Sequence, residues 1–384
     1  MNTKNKNNKK LHIAMLGHKS IPSRRGGIEV VLTILCPMLV DRGYQVTCLN
    51  RAIKNTKVVE EHVIRNGWYK GVEVMELKTV DRQGWAAVTS SIVGAFKVAF
   101  GNYDIVHFHA EGPCMMMWLP KLFGKKCIAT VHGLDWKRDK WKHGLGSLYI
   151  YLGERVMVRR ADKIIVLSHS AQDYFKEKYG RETELIPNGV EPVTRRKPDL
   201  ITKKFGLKGG DYFCSVSRLV EEKGIHDLIT AYKQIETDKK LLIVGDDLDK
   251  TDYIKEIKSM AENNSNIIFA GFQSGETLEE IYSNAYAYVI PSNLEGMSIG
   301  LLEAMAYGNA IIASDIPEIQ EVSADDAIYF KCGDSKDLAD KLQMINNNSQ
   351  KAAELKKDVV RHVNEMYNWD KIADKVSALY ESLG

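Results

Sequence analysis

Residues 291–308, Pro-Ser-Asn-Leu-Glu-Gly-Met-Ser-Ile-Gly-Leu-Leu-Glu-Ala-Met-Ala-Tyr-Gly, concentrate the chemistry of this chain. An apolar strand pattern ends at Pro291, a polar loop turns at Gly296, and a helix starts near Ser298 or Ile299. Backbone N–H groups around Met297, Ser298 and Ile299 lack partners within such a helix, and the helix dipole adds positive potential. The spot therefore suits an anion such as phosphate. Glu295 lies just before the helix and Glu303 in its second turn. Carboxylates so placed would repel a phosphate, but they can accept hydrogen bonds from sugar hydroxyls at either end of a sugar nucleotide. Position alone equally allows Glu295 as a loop residue beside the cap and Glu303 as a solvent-facing helix residue.

A second group of candidates lies in the first half. Gly26 and Gly27 close a loop that holds Lys19, Arg24 and Arg25. Residues without Cβ let the backbone approach a ligand closely, and the cations favour an anionic one; a plain tight turn is the blander reading. His107 and His109 alternate along one strand pattern and so point to the same face, one packed and the other at the strand mouth near Glu111. His132 ends the next strand pattern. The stretch Trp136-Lys-Arg-Asp-Lys-Trp-Lys142, followed by Tyr149, Tyr151, Arg155, Arg159 and Arg160, suits an anionic membrane surface, although a solvated helix with a buried aromatic face would read the same. No nucleic-acid recognition motif accompanies the charge. Asp246-Asp-Leu-Asp249 has D-x-D spacing but follows a strand–Gly turn and reads as loop, so no metal is expected. Neither G-x-G-x-x-G nor a P-loop G-K-[ST] occurs, which argues against a nicotinamide dehydrogenase or a P-loop NTPase.

The elements that must hold these residues alternate from end to end. Strand patterns at His12–Gly17, Gln45–Asn50, Val72–Leu77, Asp104–His109, Lys126–His132 and Lys163–Ser168 are interleaved with helix patterns near 27–42, 85–100, 146–160 and 170–179. In the first helix Ile28, Val31, Leu32, Leu35 and Leu39 form one apolar stripe, which Pro37 should kink and Gly43 should end. The rhythm breaks at Pro187–Pro198 and resumes with strands at Tyr212–Ser217, Lys240–Gly245, Asn266–Ala270, Ala287–Pro291, Ala310–Ala313 and Ala327–Phe330. Such alternation predicts two tandem α/β Rossmann-like domains, each a parallel sheet covered on both faces. We place them at 1–190 and 200–384 with a linker at 191–199, the last helix, Trp369–Leu383, being a candidate to pack back on the first. Ligands of such sheets bind beyond the carboxyl ends of the strands, so the two domains should share a cleft.

At 384 residues the chain exceeds one comfortable core, and its 44% hydrophobic and 27% charged residues exclude a disordered or collagen-like chain. No apolar run reaches the ~20 residues of a membrane span, and no signal-peptide pattern follows the Asn/Lys-rich start, so a cytoplasmic protein is expected. The six cysteines form no C-x-x-C pair and read as packed, reduced thiols. Residues 1–190 carry 30 Lys and Arg against 17 Asp and Glu, a net of +13, whereas residues 191–384 carry 23 against 33, a net of −10. The first half should therefore face something anionic.

The pair Glu295…Glu303 within E-G-M-S-I-G-L-L-E-A-M-A-Y-G resembles the E-x7-E signature of retaining glycosyltransferases of family 4, which have the two-Rossmann GT-B fold. Gly26-Gly27 after the first strand, Pro187-Asn-Gly-Val190, Ser217-Arg-Leu-Val-Glu-Glu-Lys-Gly224 and Leu241-Leu-Ile-Val-Gly245 agree with it in order, so the resemblance spans nearly the whole chain. It implies that Arg218 and Lys223 grip the donor diphosphate. Fixed cations must stabilise the charge that gathers on the leaving group when no metal does so. It further implies that Glu295, Met297, Ser298, Ile299, Glu303, Gly245 and Gly27 surround a nucleoside diphosphate sugar, that His132 touches the donor sugar, and that Gly26, His109 and Glu111 line the acceptor side, with Glu29 near the same pocket. The implied reaction moves a hexose or deoxyhexose to a hydroxyl of a glycan, lipid-linked in capsule or exopolysaccharide assembly, with retention and with no cofactor. The enzyme would then work in the cytoplasm or peripherally at the inner face of the membrane. A sugar-nucleotide epimerase on the same fold, or a non-catalytic subunit of a glycosyltransferase complex, is the alternative.

Overall fold

The structure is a computed structural model and describes residues 10–51, 67–80, 85–134, 145–246 and 252–384. Its elements run β1 (His12–Leu16), α1 (Gly27–Asp41), β2 (Gln45–Arg51), β3 (Trp68–Tyr69), β4 (Val72–Leu77), α2 (Trp85–Phe100), β5 (Ile105–His109), α3 (Trp118–Leu122), β6 (Lys126–Val131), α4 (Leu145–Arg160), β7 (Lys163–Val166), α5 (His169–Tyr179) and β8 (Glu184–Leu185). They continue with α6 (Leu200–Phe205), β9 (Tyr212–Val216), α7 (Ile225–Tyr232), β10 (Lys240–Val244), α8 (Tyr253–Met260), β11 (Ile267–Gly271), α9 (Gly275–Asn284), β12 (Ala287–Ile290) and α10 (Ile299–Ala306). The chain finishes with β13 (Ala310–Ser314), α11 (Pro317–Ser323), β14 (Ala327–Phe330), α12 (Ser335–Asn347), α13 (Ser349–Leu355), α14 (Val359–Met366) and α15 (Trp369–Glu381). The basic–aromatic stretch 136–142 and residues 247–249 of the D-x-D sequence lie outside the described residues.

Two compact units result, Met1–Pro187 together with Trp369–Gly384, and Asn188–Asn368. In the first, eight strands take the order β3-β4-β2-β1-β5-β6-β7-β8, parallel except for the short β3, which pairs antiparallel with β4. Ile13–Leu16 are buried without alternation because helices cover both faces of a parallel sheet. Helix α1 runs through Pro37 as one helix to Asp41. It buries more than the single expected stripe, Glu29, Val30 and Cys36 included. The added cover comes from α15, which returns to this unit. Arg42 at the end of α1 bonds Asp370 and Asp374 at 3.3 and 2.8 Å, and the Tyr44 hydroxyl donates to the Ser377 carbonyl at 3.1 Å.

The second unit is a six-stranded, all-parallel sheet ordered β11-β10-β9-β12-β13-β14. Residues 191–199 fall within the second unit. The Arg196 N–H donates to Ser283 Oγ at 2.9 Å and Asn284 Nδ2 donates to the Arg196 carbonyl at 3.0 Å, which ties the segment to α9. In each sheet the chain adds strands on one side and then reverses, between β1 and β5 in the first and between β9 and β12 in the second. At such a switch point the neighbouring loops diverge to opposite faces and leave a crevice for ligands.

Candidate functional site

In the second unit the switch point brings together the loop after β9, which carries Arg218 and Lys223, and the loop after β12, which carries Glu295. The approach is close because glycines permit it. A Cβ on Gly224, whose φ is +62°, would lie 2.0 Å from the Pro291 carbonyl oxygen. A Cβ on Gly245, φ +140°, would lie 1.8 Å from the Ser217 carbonyl oxygen, so no side chain fits where the loops after β9 and β10 meet. The Asn293 N–H donates to the Glu222 carbonyl at 2.9 Å and stitches the two loops together.

Across this seam Lys223 Nζ lies 2.6 Å from Glu295 Oε1, with side chains only 13% and 9% exposed. The Ser292 hydroxyl donates to the same carboxylate oxygen at 2.8 Å. Glu295 is thus no idle loop residue, and Lys223 is no solvated side chain. Arg218, more exposed, approaches Glu222 at 3.4 Å. Both expected cations therefore sit beside a carboxylate, which can release them to a stronger anion. Ser298 caps α10, its hydroxyl accepting the Leu301 N–H at 3.3 Å, and Ile299 and Gly300 open the first turn. A Cβ on Gly300 would come within 2.8 Å of the Tyr288 hydroxyl and 2.9 Å of the Val216 carbonyl oxygen, so the helix start is pressed onto the end of β9. Met297 is buried, with the Asn188 N–H 3.1 Å from its sulfur.

Glu303 does not face bulk solvent: it is half-buried and accepts a hydrogen bond from the Tyr282 hydroxyl of α9 at 3.1 Å. Burial, and then the charge of Glu303, holds the Tyr282 phenol well above its ordinary value, so it stays a donor. Tyr282 was not legible as a site residue, since in sequence it is one more apolar position of an amphipathic helix.

In the first unit the carboxyl ends of β1, β5 and β6 lie side by side. A Cβ on Gly17, φ +115°, would meet the His109 carbonyl oxygen at 2.2 Å, so the turn after β1 lies directly on β5. Asn50 near the end of β2 pins the loop after β1: its Oδ1 accepts from His18 Nε2 at 2.9 Å and from the Ile21 N–H at 3.1 Å, and its Nδ2 donates to the Ile21 carbonyl at 2.9 Å. Arg51 Nη2 donates to the Gly17 carbonyl at 2.8 Å. Glu29 in the first turn of α1 accepts the Lys19 N–H at 2.8 Å. Its other oxygen lies 2.1 Å from where a Gly26 Cβ would be. Gly27 differs: a Cβ there would meet no protein atom within 4 Å. The space above it is open.

His107, His109 and His132 form a chain of rings, the first two buried and His132 half-buried. His107 is the packed one, 2.7 Å from both the Tyr380 hydroxyl and Thr130 Oγ1. His109 stacks on it with ring centroids 4.4 Å apart, and its Nδ1 lies 3.0 Å from His132 Nε2. His109 ends β5, and both it and Glu111 are buried there. Helix α4 packs closely on Glu111: a Cβ on Gly153 would sit 2.3 Å from the Glu111 carbonyl oxygen. Burial pushes His107 down to about 3 and His18 to about 4, and lowers His109 as well, so these rings are neutral at pH 7. His18, Asn50 and Arg51 are the residues that sequence reading missed; a polar residue at the carboxyl end of an otherwise apolar strand was the available signal.

Residues 25–193 match the family described as Glycosyltransferase Family 4, and residues 199–361 match that described as Glycosyl transferases group 1. The phosphatidyl-myo-inositol mannosyltransferase of Mycobacterium leprae is 26% identical over 377 residues, 93% of each chain. The O-antigen chain mannosyltransferase RfbU of Salmonella typhimurium is 31% identical over 185 residues, 47% of this chain and 50% of that one. Among solved structures, Anabaena Alr3699/HepE in complex with UDP and glucose matches with a TM-score of 0.80 at 18% identity, covering 97% of this chain and 100% of that one. This last likeness is one of fold.

Proposed function

We propose, for a chain that is a family-4-like glycosyltransferase of the GT-B fold, that it transfers a hexose or deoxyhexose from a nucleoside diphosphate to a hydroxyl of a lipid-linked glycan, with retention and without a metal. The observation that carries the reading is the Lys223–Glu295 pair, with Arg218 beside it, at the switch point of the second sheet and next to the start of α10. An arriving diphosphate competes with Glu295 for Lys223 and with Glu222 for Arg218. Glu295, once released, accepts hydrogen bonds from donor-sugar hydroxyls, and Glu303, oriented by Tyr282, accepts them from the ribose. The open space over Gly27 admits ligand to the backbone, and His132 meets the donor sugar. His109 and Glu111, both buried, support the acceptor side from below.

In the reaction the bond from the anomeric carbon to the phosphate oxygen breaks, and the acceptor oxygen bonds to that carbon on the same face. The acceptor proton passes to the departing phosphate, whose charge Arg218 and Lys223 stabilise. The names of the Mycobacterium leprae and Salmonella relatives support an acceptor on lipid or O-antigen chains. The test is a thermal-shift series with UDP, GDP, ADP and dTDP sugars, followed by product analysis with the sugar that shifts. A true donor at ~100 times its Kd raises stability by about 2.7 kcal/mol. No shift with any of them overturns the reading, and turnover of donor to an isomer without an acceptor would reassign the protein as an epimerase.

A further inference from the structure

Helix α2 is built inside out. The residues it buries are small: Ser90, Ser91, Gly94, Ala95, Val98 and Ala99. A Cβ on Gly94 would lie 2.3 Å from Leu16 Cδ1, so the helix sits close on the sheet through this narrow stripe. Its large apolar residues instead face away from the unit. Trp85, Phe96 and Phe100 are 60%, 49% and 67% exposed, with Ile92 and Val93 between them. An ordinary surface helix does the opposite, turning its bulk to the core and its polar face to water.

The stripe does not end with the helix. Leu119 of α3 packs on Ala95 and Ala99, and this places Leu122, 71% exposed, and Phe123 beside the end of α2. The Phe100 and Phe123 rings are 4.5 Å apart and those of Phe96 and Phe100 are 6.4 Å apart, so the patch is continuous. Contiguous apolar surface of this kind marks a binding face. Lys121 is paired with Asp162 at 2.9 Å, and the remaining charges are of one sign. Residues 85–100 contain Lys97 and no acid, and residues 117–126 contain Lys121, Lys125 and Lys126 and no acid. Lys97 and Lys126 are exposed.

We infer that the α2–α3 face docks on an anionic lipid bilayer, with Phe96, Phe100, Leu122 and Phe123 at the level of the headgroups and Lys97 and Lys126 among the lipid phosphates. Aromatic rings and flanking cations are what the interfacial layer accommodates best. A second copy of the same face would bring like charges together around the patch, which disfavours self-association. The inference deepens the proposed lipid-linked acceptor and rests on that reading for its purpose. It also moves the expected contact to α2 and α3, away from the stretch 136–142. No helix among the described residues is long and apolar enough to cross a membrane, so the contact is lateral.

The test is co-sedimentation of the full chain with phosphatidylcholine vesicles, pure or containing about a third phosphatidylglycerol, at low and high salt. Binding is expected on the anionic vesicles, and Phe100→Ser with Leu122→Ser should lower the partition coefficient roughly tenfold or more at either salt. Lys97→Glu with Lys126→Glu should lower it chiefly at low salt. Phe100→Trp, which cannot be mistaken for unfolding, should bind at least as tightly as the parent, and Met366→Ser in the second unit should change nothing. Equal binding to neutral vesicles, or undiminished binding of the Phe100/Leu122 variant, overturns the proposal. So does a dimer in light scattering that Phe100→Ser dissociates, because a second copy would then cover the face. Nucleotide-sugar binding measured without vesicles reports on the glycosyltransferase reading alone, so the two can fail separately.

Discussion

Replacing Glu295 by Gln keeps the shape of the side chain and an acceptor for Ser292, and removes the charge that neutralises Lys223. Without ligand, an ammonium that is 13% exposed then faces a neutral amide. Deleting one partner of a buried pair outright costs about 3–5 kcal/mol. Because the amide still accepts a hydrogen bond, about 2 kcal/mol is expected, a fall of about 4–8 °C in the melting temperature of a unit of this size. A bound nucleoside diphosphate supplies the missing negative charge and removes most of that cost. The same nucleotide must therefore stabilise the variant more than the parent by about 1–2 kcal/mol, which is roughly 5- to 30-fold tighter binding. The intact sugar nucleotide should gain less, since the carboxylate it would engage is gone, and transfer should slow. Thermal denaturation with and without the free diphosphate, with calorimetric titration of the same pair, reads both halves of this cycle. If Glu295→Gln binds the free diphosphate tenfold more weakly than the parent, Lys223 is not the partner of the phosphate and the reasoning fails.

Arg218→Ala and Lys223→Ala should each slow transfer by about 10²–10³-fold with the fold retained, read by single-turnover kinetics; near-normal rates in both would remove the diphosphate assignment. Glu303→Gln should weaken sugar nucleotide and free nucleotide alike, by on the order of 1 kcal/mol or more, and Tyr282→Phe should reproduce part of the loss because it releases the carboxylate; unchanged nucleotide affinity would assign Glu303 to the helix. Burial lowers His18 to about 4 and His107 to about 3 from an ordinary value near 6.5. Their neutral forms thus favour the folded state above about pH 6.5, and that stability is lost as pH falls towards the lowered values, by on the order of 1.4 kcal/mol per pH unit for each ring. His18→Gln, which can still bond Asn50, should flatten the pH dependence of the unfolding midpoint by about one proton; an unchanged slope would mean that His18 is already charged in the fold.

Within the site, the parts legible in sequence are those carried by one loop. Ser298 as a cap, Lys223 before a left-handed Gly224, and Gly26-Gly27 at the start of α1 are local features, and the chain places them much as their spacing predicts. The partners of these residues were not legible. Lys223 and Glu295 are 72 positions apart and meet only because β9 and β12 are neighbours. His109 and His132 meet because β5 and β6 pair in register, His109 opposite Thr130. Strand order, not strand existence, selects these pairs.

The sequence by itself determined that the chain alternates strand and helix, because unbroken apolar runs suit only strands buried on both faces and stripes at helical spacing suit only covering helices. It also determined which loops carry charge and glycine. The tertiary structure alone decided the rest. It chose the partners of α15 in the first unit, where Tyr380 bonds His107 across 273 positions of chain. It turned Glu303 towards Tyr282, and it buried His109. It also chose which side of α2 is outside. Both stripes of that helix are apolar, so hydropathy could not rank them; the sheet takes the small residues because only they allow Leu16 to approach, and the large ones are left facing out.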